Sequence, residues 1–267
     1  MPFCDMHTHT VFSFDGENFV SSLCSDALKE NIRAVAMTEH MDFFDGRDYA
    51  YYGLFEENRY KAVLKARALY PSIEIFYGIE LGQPHYDPLG TADFLKGRSF
   101  DIILGSIHDL RGGRTIYSLR CRDMKECDRI MEEYFYEMGL MLEAFDFDVL
   151  AHLDYPVRVF PCMGKEASLK RYDGLILPIL EKCAGKGVAL EINTAGTDKW
   201  LGRPGPDIWV LEAFKKAGGE RVTMGSDSHR PGCCGRGFKE AESMLREAGL
   251  AGCLVYYKGR RALPWVI

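Results

Sequence analysis

Short apolar runs alternate along this chain with longer stretches in which apolar positions recur every three or four residues. The first pattern predicts strands covered on both faces, the second amphipathic helices. A first strand ends in Asp5-Met-His-Thr-His9. Positions 21–31 carry Leu23, Ala27 and Leu28 at helical spacing, and 34–38 is a short, almost wholly apolar run. A helix over 54–70, closed by Pro71, precedes strands over 73–81 and 100–107. The long helix over 123–145 lines up Ile130, Tyr134, Met138 and Leu142 on one side. Then come a strand (147–151), a helix ending near a glycine (169–185), a strand (188–192), a helix (206–217) and a strand (221–225). A last helix over 238–248 and a strand-like run over 253–257 complete the pattern. Seven βα units in strict alternation predict a parallel sheet with helices outside. That count, with no glycine-rich dinucleotide fingerprint, favours a closed or nearly closed (β/α)7 barrel of the TIM-barrel kind over an open doubly wound sheet.

Composition narrows this to one domain over residues 1–267. Of the 267 residues 47% are hydrophobic, enough to bury a sizeable core, and no linker, repeat or low-complexity stretch divides them. A formal net charge of −6 argues against an extended nucleic-acid footprint, so no nucleic-acid partner is expected. No apolar run approaches a membrane span, and the opening Met-Pro-Phe-Cys-Asp lacks a signal peptide's regions. A cytoplasmic location without a membrane partner is the expectation. The nine cysteines are odd in number and lack Cys-x-x-Cys spacing, which suggests neither a disulfide framework nor a zinc ribbon. Cys4, Cys24 and Cys183 read as buried thiols, Cys233-Cys234 as loop residues. Nothing in the sequence speaks to oligomeric state.

The strand ends change the picture. Barrel enzymes build their sites at the C-terminal ends of the strands. Here those ends read His7-Thr-His9 with Asp15 beyond, Thr38-Glu39-His40, Glu80, His108, His152-Leu-Asp154, Glu191-Ile-Asn193 and Asp227-Ser-His229. Six of the seven histidines fall there. Strict alternation in the first strand would point Asp5, His7 and His9 the same way. Two such histidines alone could be polar rim residues, and Glu80 alone a salt-bridge partner. Together, imidazoles and carboxylates are the ligands of zinc, manganese and iron, and this set exceeds what one cation can use. A polynuclear site with a bridging carboxylate is the natural reading. Glu39, Asn193, Asp5 and Asp154 are expected to orient the ligands, and His85 to be a loop or pocket residue.

These residues resemble the polymerase-and-histidinol-phosphatase (PHP) family. The resemblance is closer to its histidinol-phosphate phosphatase branch, through Gly78-Ile-Glu80-Leu-Gly, Gly105-Ser-Ile-His108, Glu191-Ile-Asn193-Thr and Gly225-Ser-Asp227-Ser-His229. It runs from residue 5 to about 240. It implies a distorted seven-stranded barrel holding three divalent metals. His7, His9, Glu80 and Asp227 would bind the first, and Glu80 would bridge to a second held by His108 and His152. Asp15, His40 and His229 would hold the third, with Asp15 standing where many histidinol phosphatases carry a histidine.

Clustered metals make hydroxide available near neutral pH and neutralise charge developing on a phosphoryl group. Phosphomonoester hydrolysis fits, with attack by a bridging hydroxide. Asp227 and His229 are placed to protonate the leaving alkoxide, although ligand duty competes. A phosphate also wants a cation outside the metals. Arg158, after strand five, resembles the branch's phosphate arginine, and Arg203 and Lys199 are further candidates. The loop over 41–53 offers Phe43, Phe44, Tyr49, Tyr51 and Tyr52 for stacking and Asp42, Asp45 and Asp48 for a substrate amine, or else forms a rim cover. The leading reading is a phosphatase of L-histidinol phosphate. The same chemistry on another small phosphate ester or nucleotide is the close alternative. A proofreading module would need a basic groove that is not visible, and a metal-binding regulator without turnover would not need the whole ligand set.

Overall fold

The computed structural model describes residues 3–44, 50–160, 168–197 and 200–265, residues 50–54 by their backbone alone. Elements follow the expected alternation: β1 Phe3–Thr8, α1 Val20–Lys29, β2 Ile32–Met37, a short β3 His40–Asp42, α2 Ala50–Leu69 and β4 Glu74–Gly82. Next come α3 Pro88–Leu95, β5 Ile102–Ser106, the two-residue strands β6 Asp109–Leu110 and β7 Arg114–Thr115, α4 Met124–Ala144 and β8 Val149–Leu150. The chain continues through α5 Asp173–Lys186, β9 Ala189–Asn193, α6 Ile208–Lys216, β10 Val222–Gly225, α7 Phe238–Glu247, β11 Val255–Lys258 and β12 Arg261–Pro264.

The main sheet is parallel throughout, in the order β1-β2-β4-β5-β8-β9-β10, with β3 added to the upper half of β4. It closes at its upper rim. Thr8 and Ser228 form a parallel bridge, His9 N donates to Ser228 O at 2.9 Å, and Asp227 N donates to His7 O at 2.8 Å. The closing bonds therefore run through the backbone of three expected ligands.

Two apolar layers sandwich the strands. Outward-facing Val35, Met37, Ile75, Tyr77, Ile79 and Leu81 join the large core shared with the helices. Inward-facing Ala34, Ala36, Phe76, Ile102, Leu104, Val149 and Ala189 fill the barrel, floored by Val255 and Tyr257 of the β11–β12 hairpin. Fully buried Arg59 ties α2 to β2 and β4. It donates to the carbonyls of Met37 and Gly78 at 3.2 and 2.6 Å, and its charge meets Glu56 at 2.7 Å.

Several expectations change. The strict alternation expected for β1 fails. Asp5 aligns with Val35 but Thr8 with Met37, so three residues on one strand span two on the other. That is a bulge. Below it Cys4 and Met6 face the barrel interior. Asp5 is turned away, accepting from Ser226 N at 2.9 Å and Gly235 N at 3.0 Å. The strand expected over 147–151 is reduced to Val149–Leu150, and the run over 253–257 is half of a hairpin. Helix α3 and the β6–β7 hairpin, too short for a clear period, were not expected. Cys121 and Cys127 form a disulfide across the start of α4, a local pair where none was anticipated. Among the described residues no helix is long and apolar enough to cross a membrane.

Candidate active site

All nine expected ligands converge at the C-terminal mouth of the barrel. Glu80, at the top of β4, is the centre: fully buried, with its two oxygens turned to different partners. Oε1 lies 2.8 Å from His152 Nε2 and 3.2 Å from His108 Nε2. Oε2 lies 2.9 Å from His40 Nδ1, 3.3 Å from His7 Nε2 and 3.4 Å from His9 Nε2. Asp227 Oδ1 stands 3.3 Å from His9 Nε2 and 3.4 Å from His229 Nδ1. Asp15 brings its oxygens to 3.5 Å from His40 Nε2 and 3.4 Å from His229 Nε2.

Donor set and geometry suit divalent cations. Four overlapping trios (His9, His40, His229; His7, Glu80, His152; His7, His9, Asp227; His40, Glu80, His108) each offer ligand atoms within 4.8 Å of one another. His7 and His9 face each other Nε2 to Nε2 at 3.0 Å, and His40 and His229 at 3.2 Å. Glu80 Oε2 and His40 Nδ1 are buried without a hydrogen-bond partner although 2.9 Å apart. Buried polar atoms left so are costly unless something takes their lone pairs. His7 reaches toward both of the first two expected subsites, and His40 toward Glu80 as well as Asp15. The backbone is bent to serve the site: His152 and Asp227 have φ of 23° and 49°, in the left-handed region costly for such residues.

Electrostatics bind the cluster. Burial pushes the Glu80 carboxyl up, but His7, His108 and His40 outweigh it and hold it well below the usual range. Asp227 is held down against burial in the same way, chiefly by His7 and His9. Burial lowers His7 and His108, yet the carboxylates of Glu191 and Glu80 around the one, and of Glu80 and Asp42 around the other, carry both well above the ordinary imidazole value. Asp15 is lowered to about 2 by His229 and His40 despite its burial. Protons on the imidazoles are what a cation would displace.

A second set of residues holds the imidazoles in place. Glu191 Oε1 meets His7 Nδ1 at 2.7 Å, and its Oε2 accepts from His152 N at 2.8 Å and from Asn193 Nδ2 at 3.1 Å. His9 Nδ1 meets Ser13 Oγ at 3.0 Å, and Ser13 donates to Glu39 Oε2 at 2.6 Å. Glu39 therefore reaches His9 only through Ser13, and Asn193 touches Glu191 and, at 3.4 Å, Asp227 Oδ2. Asp5 acts one step further away, on the backbone beside Asp227. Asp154 is not among these contacts: it lines the cleft beside His152 and Arg158, buried against Gly205, its Oδ2 without a hydrogen-bond partner, and its pKa raised to about 6 by burial despite nearby Arg203. Ser13 was missed, being one more small polar loop residue in sequence. Asp42, considered for a substrate amine, instead meets His108 Nδ1 at 2.8 Å. Phe43 is buried on Phe94, as a rim cover would be. Asp45, Asp48 and Tyr49 lie outside the described residues, as do the side chains of Tyr51 and Tyr52.

Arg158 lies in a 3-10 turn, Tyr155–Val159, beyond β8. Its guanidinium is stacked among Tyr155, Trp200 and Tyr117, 4.4, 4.8 and 5.3 Å from their centroids, and its Nε has no hydrogen-bond partner. It lines a cleft with His152, Asn193 and Asp227. Arg203 is instead paired with Asp207 and donates to Pro204 O at 3.0 Å. Lys199 lies outside the described residues. His85 sits apart from the cluster, its Nε2 2.7 Å from Glu137 Oε2, and Arg111 Nε donates to the same carboxylate at 2.9 Å.

A parallel barrel whose mouth gathers six histidines and three carboxylates defines the class, and the chain matches the PHP domain over residues 5–195, so it belongs to that family. Its relatives are more specific. A Thermotoga maritima protein described as a probable histidinol-phosphatase is 31% identical over 243 residues, 91% of each chain. The histidinol-phosphatase of Lactococcus lactis is 27% identical over 253 residues, 92% of this chain and 91% of that one. The crystal structure of the Lactococcus lactis histidinol phosphate phosphatase, complexed with Zn, L-histidinol and phosphate, shares this fold with a TM-score of 0.75 at 25% identity, over 98% of both chains.

Proposed function

We propose that this chain hydrolyses L-histidinol phosphate to L-histidinol and phosphate, using three divalent cations (zinc, manganese or iron). The observation that carries the reading is Glu80, one buried carboxylate with one oxygen facing His108 and His152 and the other facing His7, His9 and His40, the division a carboxylate shared by two cations would need. His7, His9, Glu80 and Asp227 hold one cation, Glu80, His108 and His152 a second, and Asp15, His40 and His229 the third. Divalent cations in such a site supply Lewis acidity and a water-derived nucleophile near neutral pH.

The chain's own residues do the rest. Arg158, held in its aromatic stack, grips the phosphoryl oxygens from the cleft wall and fixes the ester in line with the cluster. The leaving alkoxide is neutralised by a cation or by a proton drawn from water, and Asp227 and His229 relay that proton only when released from ligand duty. Substrate identity is supported by the relatives' names and by the product-bound Lactococcus lactis structure. The test is phosphate release from a panel of small phosphate esters and nucleotides, histidinol phosphate among them, by protein reconstituted with each metal. Histidinol phosphate should show the highest kcat/KM. Faster turnover of another ester would move the substrate, and no release from any would remove the phosphatase reading.

A further inference from the structure

Two imidazoles, His7 fully buried and His108 partly so, are held by carboxylates that reach them past a glycine, in the same way at two places in the barrel. Asp42 pairs in register with Gly82, and its Oδ1 lies 2.8 Å from His108 Nδ1. A Cβ on residue 82 would stand 1.7 Å from that oxygen and 3.1 Å from His108 Nδ1. Any side chain there would evict the carboxylate. Glu191 reaches His7 Nδ1 at 2.7 Å, and a Cβ on residue 225 would stand 2.2 Å from Glu191 Oε1 and 2.5 Å from His7 Cβ. Neither Gly82 nor Gly225 has a positive φ, so backbone freedom does not explain either glycine. The missing Cβ does.

At His108 the arrangement is complete. Asp42 accepts from Nδ1–H, which leaves the Nε2 lone pair toward Glu80 and His152, 3.2 and 3.4 Å away. The backbone is fixed independently: Gln83, buried and at φ 38°, accepts from His108 N at 3.0 Å and donates its own N–H to Ser106 O at 2.8 Å.

We propose that Asp42 and Gly82 are a positioning pair for the cation subsite that His108 serves. Asp42 sets the tautomer and direction of the ring, and Gly82 keeps the carboxylate's path open. The assignment rests on the metal centre proposed above, and the experiment separates the two. Metal-free wild-type protein, Asp42→Ala, Asp42→Asn, Gly82→Ala and the Asp42→Ala/Gly82→Ala double variant are titrated calorimetrically with Mn2+, with His108→Ala marking the equivalent concerned. Orienting partners of metal-bound histidines are worth roughly 10–100-fold in affinity. Asp42→Ala and Gly82→Ala should each weaken that one equivalent by this factor and leave the others unchanged. Asp42→Asn, of the same shape and still an acceptor, should lose less. The double variant should be no weaker than Gly82→Ala alone, because both changes remove one contact. Thermal unfolding of each metal-free variant checks that it folds, and Asp42→Asn keeps the test open if a larger change does not. Wild-type affinity at every equivalent in Asp42→Ala, or losses that add in the double variant, would overturn the pair. A wild-type chain that binds no Mn2+ would overturn the metal centre itself.

Discussion

Phe76 and Glu80 stand on the same face of β4, four residues apart, in opposite chemistries. Phe76 belongs to the lower barrel interior, stacked 5.9 Å from Tyr256 of the terminal hairpin among Ala34, Ala36 and Leu104. Glu80 belongs to the upper interior, buried as completely but among imidazoles. Between them Gly78 marks the change of layer, crowded by Ile102 and Thr38. Leu104 to Ser106 on β5 and Ala189 to Glu191 on β9 make the same transition two residues on. The lower layer is stable by burial alone. The upper layer buries charge, which low dielectric penalises unless every charge is matched. One set of strands thus builds a floor that supports itself and a mouth that depends on its ligands.

The sharpest way to break this contrast is to remove the cations. Chelation should abolish phosphate release and lower the melting temperature, with both restored by zinc, manganese or iron, because the cations stabilise only the folded mouth. Full activity in protein verified metal-free by elemental analysis would erase the distinction between layers. Glu80→Gln keeps shape and removes charge. As a ligand it should matter more than an orienting residue, so turnover should fall more than roughly a hundredfold, together with bound metal. Steady-state kinetics beside metal quantification reads both.

The floor should answer differently. Phe76→Ala should cost about 3–5 kcal/mol in denaturant unfolding, while metal stoichiometry per folded molecule stays at the wild-type value. Loss of a metal equivalent there would show that the layers are not separable. Arg158→Ala tests the wall of the mouth: metal content should be unchanged and kcat/KM should fall roughly ten- to hundredfold, about 1.5–3 kcal/mol. A rise in KM alone would place the contact in ground and transition states equally, a fall in kcat mainly in the transition state. Arg158→Lys should recover only part, since a point charge cannot reproduce the planar fork. Smallest is His85→Ala, outside both layers. It should cost about 1 kcal/mol of stability for the lost bond to Glu137 and leave every metal equivalent in place. A missing equivalent in that variant would redraw the ligand set.

The sequence determined the alternation of elements, the parallel sheet and the nine residues at the mouth. Periodicity is local, and ligands at strand ends inherit their position from the strands. His7, His40, Glu80, His108, His152 and Asp227 could each be placed from a few neighbouring residues. What touches those ligands could not, because each contact joins distant positions. Asp42 meets His108 across 66 residues and Glu191 meets His7 across 184. The bulge in β1 turned Asp5 away from the site through a pairing that alternation along one strand cannot reveal. Asp154 shows the same limit, two residues from a ligand yet packed against Gly205. Local pattern sets which side chains a strand offers; only the closing of the barrel decides which of them meet, since that depends on register between strands far apart in the chain.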